Sequence, residues 1–155
     1  MIELVPFVMS GNELPPQVRQ FDAPIRDLVK EVYPTTPRNE LLYHIPGLCL
    51  LAVVEDQKSP LVGIANLTLD APEEFNMDTA WIDTLVVAEK RRRALRVGST
   101  LVDRVATLAK QDGATAIGIE ATETSVEFWR RQGFRSVCPQ PPAKGIFTEV
   151  MCRFL

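Results

Sequence analysis

The residues best able to do chemistry stand together at 90–100, in KRRRALRVGST. Lys90, Arg91, Arg92, Arg93 and Arg96 place five cations within seven residues, with no acid among them. Guanidinium groups carry a fixed charge and present a planar fork that matches phosphate oxygens. Gly98, Ser99 and Thr100 follow, opening an amphipathic stretch. The first amides of a helix have no carbonyl partner and carry partial positive charge, so such a start takes up phosphate readily. Gly98 allows close backbone approach, with no Cβ in the way, and the hydroxyls of Ser99 and Thr100 add donors. Together these residues describe a cradle for a pyrophosphate. The stretch is neither GxxxxGK[ST] nor GxGxxG. A basic run on a loop is more often just solvated. What favours a ligand is position, between an apolar strand and a helix, where sheets with parallel strands bind their ligands.

Carboxylates come next. Asp83 lies inside AWIDTLVV, and a charge in an apolar strand is costly unless it is solvated or partnered. It is a candidate base; the structural alternative is that it caps a bulge or meets an arginine. Glu120, in TAIGIEAT, is a second candidate. His44 lies in a loop, Tyr33 and Tyr43 precede the core strands, and nothing in the spacing assigns any of them a role. Trp81 and Trp129 read as packing residues. Cys49, Cys138 and Cys152 are odd in number and lack CxxC or metal-ligand spacing, so they read as reduced thiols, and no metal is expected.

The elements that must position these residues follow from periodicity. Residues 2–9 form a short strand. Val18, Phe21, Ile25, Leu28, Val29 and Val32 fall at helical spacing, and Pro24 splits them into two short helices, with Asp22 or Ala23 capping the second. LCLLAVVED (48–56) and LVGIANLTLD (61–70) read as an antiparallel hairpin, and TAWIDTLVVA (79–88) as a third strand. Val97, Leu101, Val105, Leu108 and Ala109 make one apolar helical stripe, with Gly113 just past its end. A buried strand at 115–122, a short helix at 125–132 closed by Gly133, and two strands, FRSVC and FTEVMCRFL, complete the chain. The strand–helix–strand step from 79 to 122 demands a parallel pair joined by a right-handed crossover. The fold class is α/β (α+β mixed) with one mixed sheet.

The chain has 155 residues, 46% hydrophobic and 24% charged, which suits one soluble domain over 1–155 with a core that needs no disulfides. Net charge is -3, and without the five clustered cations the remainder carries -8. A nucleic-acid binder shows a broad basic face instead, so the cluster reads as a local anion site. The start lacks the basic segment of a signal peptide, and no apolar run approaches the ~20 residues of a membrane span. A cytoplasmic protein is the default expectation.

LVVAEKRRRALRVGSTLVDRV resembles the acyl-CoA-binding motif of the GNAT superfamily, the Gcn5-related N-acetyltransferases. That family's loop reads R/Q-x-x-G-x-G/A before a helix, matched here by Arg93 through Gly98. SVEFWRRQGFRSV resembles its second motif, and the element order from 48 to 155 is similar throughout. The resemblance implies a mixed sheet of six to seven strands flanked by about four helices. It implies a splay between the strands at 79–88 and 115–122, with acetyl-CoA as co-substrate in the gap. The pantetheine would pair with backbone of Leu85, Val86 and Val87, a backbone N–H near Val86 or Val87 would polarise the thioester carbonyl, and the pyrophosphate would meet amides from Arg93 to Ser99. Arg92, Arg93, Arg96, Val97, Gly98, Ser99 and Thr100 are thus expected around the phosphates. An amine is the expected acceptor and a homodimer through the last strands is possible in this family. The sequence departs from the pattern in four ways. Arg96 stands where the first glycine is usual, and the loop between Val87 and Gly98 is one residue longer than the pattern. Trp129 stands where a tyrosine acts as general acid, which leaves water or Ser125 as the proton donor to the departing thiolate, and the asparagine often found near the start of the second motif is replaced by Thr122 and Glu123. These departures favour, as an alternative, a non-catalytic CoA-binding or protein-interaction module.

Overall fold

The computed structural model describes residues 1–9, 13–33, 47–54, 60–68, 78–91, 95–137 and 147–155. Strand β1 (Glu3–Met9) leads to a 3-10 turn (Pro16–Phe21) and helix α1 (Asp22–Val32). Then come β2 (Gly47–Val53), β3 (Leu61–Thr68) and β4 (Thr79–Val87), a 3-10 turn (Glu89–Arg91), and α2 (Val97–Gln111). β5 (Ala116–Thr122), α3 (Val126–Arg131), β6 (Arg135–Ser136) and β7 (Phe147–Phe154) finish the chain. The seven strands make one sheet in the order β1-β2-β3-β4-β5-β7-β6. Among the described strands only β4 and β5 run parallel, and α2 is the crossover between them.

Three α-helices are present among the described residues, where the sequence suggested about four. The difference lies at the first helical pair. The first of the two expected helices winds as a 3-10 turn, and the break falls just before Asp22. Phe21, not Asp22 or Ala23, takes the cap position of α1. Pro24 then sits in the first turn, where no amide is needed for an intrahelical bond. The described β6 spans two residues only, shorter than FRSVC suggested.

Both faces of the sheet are covered, which is why β3 is buried at all eight positions and β4 at seven of nine. One core gathers α2 and α3 residues such as Val97, Leu101 and Trp129 over Ala65, Ile82 and Ile119. The other gathers Val18, Ile25, Leu28 and Val29 over Cys49, Leu51, Ile64 and Val86. The start of α2 is seated by Gly63, where a Cβ would lie 2.8 Å from Cγ1 of Val97.

Two irregularities shape the middle of the sheet. β4 and β5 pair only at Thr79–Ala116, Ala80–Ile117 and Trp81–Gly118, and beyond that rung they separate. On the other side of β4 the register with β3 jumps from Asn66–Thr84 to Leu67–Ile82. Asp83 is therefore the extra residue of a β-bulge, a device that bends a strand and re-aims its side chains.

Candidate active site

The separation of β4 from β5 opens a cleft of about 1190 Å³. Ile82, Asp83, Leu85 and Val87 form one wall, and Ile119, Glu120 and Thr122 the other. The end of α1, the start of α2 and helix α3 close the remaining sides.

Backbone direction along β4 decides what a ligand in the fork would meet. The Ala88 N–H donates to the Val62 carbonyl at 2.9 Å, next to the Gly63–Val87 pair. Alternation then turns the backbone groups of Val86 toward β3, and those of Leu85 and Val87 toward the fork. Val86, expected to offer its backbone to the cofactor, turns it toward β3 rather than toward the fork. Its side chain, 1% exposed, belongs to the core under α1, and its amide faces the β3 ladder.

At the other end of the fork lies the start of α2. Arg96 is the N-cap, at φ 50° and ψ 34°, the one residue other than glycine with positive φ among those described. The usual glycine of the motif is explained by this backbone, since left-handed geometry crowds any Cβ. No side chain caps the helix, and its first turn holds no acid. Its first amides lack carbonyl partners within the helix. Gly98 and Ser99 line the cleft with Arg96. Gly98 has a packing duty that its sequence context did not reveal: a Cβ there would come to 3.1 Å from the Cε2 and Cζ atoms of Phe128. It lets α3 lie against the start of α2. The Ser99 hydroxyl accepts a 3.0 Å hydrogen bond from Gln132, which ties the same two helices together. Thr100, expected to add a donor to the cradle, instead turns its hydroxyl back to the Arg96 carbonyl at 3.1 Å. Arg92 and Arg93 lie outside the described residues, as do His44, Tyr43 and Cys138.

The candidate catalytic groups converge. Gly118 shares its rung with Trp81, so Glu120 and Asp83, each two residues further on, emerge on the same face of the sheet, one from each strand. Both are partly exposed and line the cleft. Ser125 also lines it, but its hydroxyl is engaged at the β5–α3 turn. It accepts from the Thr122 N–H and hydroxyl, each at 2.9 Å, and donates to the Thr122 carbonyl at 3.2 Å. Trp129 is 6% exposed, packed edge-to-face with Phe128 and Phe134. Tyr33, which sequence spacing left unassigned, forms part of the cleft wall at the end of α1. Nearby, Glu31 accepts from the Glu89 N–H at 3.2 Å, tying α1 to the end of β4. Five carboxylates (Glu31, Asp83, Glu89, Glu120, Glu123) and two guanidinium groups (Arg96, Arg131) line the cleft among the described residues.

Behind Asp83 lies a buried polar pair. The Asn66 amide donates to Sγ of Cys49 at 3.1 Å. Burial, reinforced by the charge of Asp83 and opposed by the Asn66 hydrogen bond, pushes the Cys49 thiol up to about 11. Burial also raises Cys152. Among the described residues no cluster of three metal-ligating side chains occurs, and no helix is long and apolar enough to cross a membrane.

A mixed sheet forked between two parallel strands, with an open helix start at one end of the fork, defines an acyl-CoA-type N-acyltransferase fold. The model of the Acetyltransferase (GNAT) family matches residues 17–134, and the chain belongs to that family. Solved structures agree on the fold. An acetyltransferase of the GNAT family from Staphylococcus aureus superposes with a TM-score of 0.72 at 16% identity, covering 99% of each chain. A Bacillus subtilis acetyltransferase in complex with CoA gives 0.63 at 20% identity, covering 99% of each. A GNAT acetyltransferase from Elizabethkingia anophelis with acetyl-CoA bound gives 0.64 at 20% identity, covering 99% of this chain and 98% of that one. No curated protein sequence matches the chain significantly.

Proposed function

We propose that the protein transfers an acetyl group from acetyl-CoA to a primary amine, on a small molecule or on a protein lysine or N-terminus, by direct attack in a ternary complex. The observation that carries this reading is the fork itself: one carboxylate on each strand just past the point of separation, and an uncapped helix start with Arg96 at the far end. Acetyl-CoA supplies an acyl group activated as a thioester. Leu85 and Val87 offer backbone groups to the pantetheine, as an added strand would use them. A backbone N–H there is placed to donate to a carbonyl oxygen that gains negative charge. The amides of Val97 to Ser99 and the Arg96 guanidinium face the phosphates. An amine arrives protonated near neutral pH and attacks only after losing a proton. Asp83 and Glu120 are the groups placed to take it. The excess of carboxylates in the cleft favours a cationic acceptor, such as a polyamine, aminoglycoside or lysine.

A second reading, a CoA-binding module without catalysis, draws on Trp129. The position where the family uses a tyrosine acid holds an indole locked between two phenylalanines. A thiol with a pKa near 8.5 can leave as thiolate and take its proton from water, so transfer does not require that tyrosine. Thiol release from acetyl-CoA with a panel of amines decides between the readings. With a competent amine, Asp83→Asn or Glu120→Gln should lower kcat about 10²–10⁴-fold while the Kd for CoA stays unchanged. Full activity in both variants removes the carboxylate base. CoA uptake without thiol release from any amine supports the module.

A further inference from the structure

Helix α3 meets the start of α2 at two successive residues. Phe128 packs on Gly98, and one turn further along, the side-chain amide of Gln132 donates to Oγ of Ser99 at 3.0 Å. Both Ser99 and Gln132 line the cleft. Gln132 is itself held in place. It takes the C-cap position of α3, its backbone N–H donates to the Trp129 carbonyl at 3.0 Å, and its own carbonyl accepts from Nη1 of Arg153 on β7 at 3.1 Å. Neither packing nor the transfer chemistry proposed above calls for a glutamine at this position.

Hydroxyl chemistry gives the contact a direction. A serine or threonine in a helix can turn its hydroxyl back to the carbonyl four residues earlier, as Thr100 does with Arg96. Among the described residues Ser99 makes no such bond, and the hydrogen bond of its side chain is the one it accepts from Gln132. A hydroxyl carries one hydrogen and can accept and donate at once. With the Gln132 amide on its oxygen, the Ser99 hydrogen stays available to an acceptor in the cleft.

We infer that Gln132 is a positioning residue for the coenzyme, orienting the Ser99 hydroxyl as a donor to a phosphate oxygen of CoA. The inference rests on the reading that the CoA diphosphate lies at the start of α2. A chain of two hydrogen bonds then runs from the Gln132 N–H to the Ser99 oxygen, and from the Ser99 hydrogen to the phosphate. The first bond polarises the second, and the second, made to a charged acceptor, is of the stronger kind. A glutamate in place of Gln132 would reverse the chain. A carboxylate only accepts, so it would draw the Ser99 hydrogen away from the ligand while still joining the two helices.

That reversal is the test. CoA is titrated calorimetrically into the unaltered protein, Ser99→Ala, Gln132→Glu and the double variant, with scanning calorimetry to show that each is folded. Ser99→Ala should weaken Kd about tenfold or more, the worth of one hydrogen bond to a charged group. Gln132→Glu should weaken it at least as much, because it withdraws the same donor and adds a repelling charge. The double variant has no hydroxyl left to reorient, so it should bind no more weakly than Gln132→Glu alone, within about twofold. A role confined to joining the helices predicts otherwise: Gln132→Glu keeps that tie, and the two losses would multiply. An unchanged Kd in Ser99→Ala, or a loss in the double variant equal to the product of the single losses, would overturn the inference. Both outcomes leave the acetyltransferase reading standing. Failure of CoA itself to bind the unaltered protein takes down that reading, and the inference with it.

Discussion

Arg96 ties backbone strain to ligand charge in one residue, and two substitutions separate them. At φ 50° its Cβ crowds the backbone, which costs an L-residue about 1–2 kcal/mol. Glycine escapes that cost but brings about 0.5–1 kcal/mol of extra freedom in the unfolded chain. Arg96 is exposed and forms no ion pair among the described residues, so little native contact is lost with its side chain. Arg96→Gly should therefore stabilise the protein by about 0.5–1 kcal/mol. For a chain of this size that is a rise in Tm of about 1–4 °C. Arg96→Ala keeps a Cβ in the left-handed region and should bring no such rise. Affinity for CoA should behave in the opposite way. Both variants lose the guanidinium beside the helix start, and a hydrogen bond to a charged group is worth about 1.5–3 kcal/mol, so Kd should weaken about tenfold or more in both. The dependence of Kd on salt should become shallower in both as well. Differential scanning calorimetry and titration calorimetry read the two effects independently. Equal Tm changes in the two variants would refute the strain argument, and an unchanged Kd would refute the placement of Arg96 beside the phosphates.

Other expectations follow from contacts already described. Gly118→Ala forces its Cβ into the Trp81 ring and should cost about 1–3 kcal/mol by urea unfolding. Gly113→Ala meets open space but sits at φ +92°, so it should cost about 1–2 kcal/mol from strain alone; the two are told apart because only Gly118→Ala should alter the near-UV signal of tryptophan. The unfolded Cys49 thiol ionises near 9.0 and the folded one near 11, so the folded state holds the proton more tightly. Its contribution to stability is complete below pH 9 and declines as pH rises toward 11. Urea midpoints at pH 8 and pH 10.5 should show that decline, and Cys49→Ala should reduce it. Native Cys49, 1% exposed, should also resist iodoacetamide at pH 8 under conditions that label the urea-unfolded chain.

What the sequence disclosed and what it withheld divide along physical lines. The α2 stripe of Val97, Leu101 and Val105 was legible because one helix face repeats every few residues. The parallel pair was legible because a strand, a helix and a strand in succession leave few other ways to close a sheet. That β4 and β5 part company after three rungs was not legible. The parting point is marked by an indole over a glycine 37 residues away and by a bulge that exists only relative to β3. Such facts live in register between distant segments, and no local pattern encodes register. Gly98 shows the same limit from the other side. The sequence supports close approach of a phosphate, yet the space beside its Cα is taken by Phe128, from a helix whose docking no local signal fixes. Tyr33 went unassigned because its place in the cleft wall depends on how α1 lies across the sheet. Asp83 stands between these cases. A carboxylate in an apolar strand demanded either solvent or a structural excuse, and the fold grants both at once. The bulge that accommodates the extra residue also turns it into the cleft, opposite Glu120. The irregularity that disturbs the β3–β4 register is thus also the one that gives the cleft a carboxylate, and Asp83→Asn tests the proposed role in proton transfer while leaving the bulge in place.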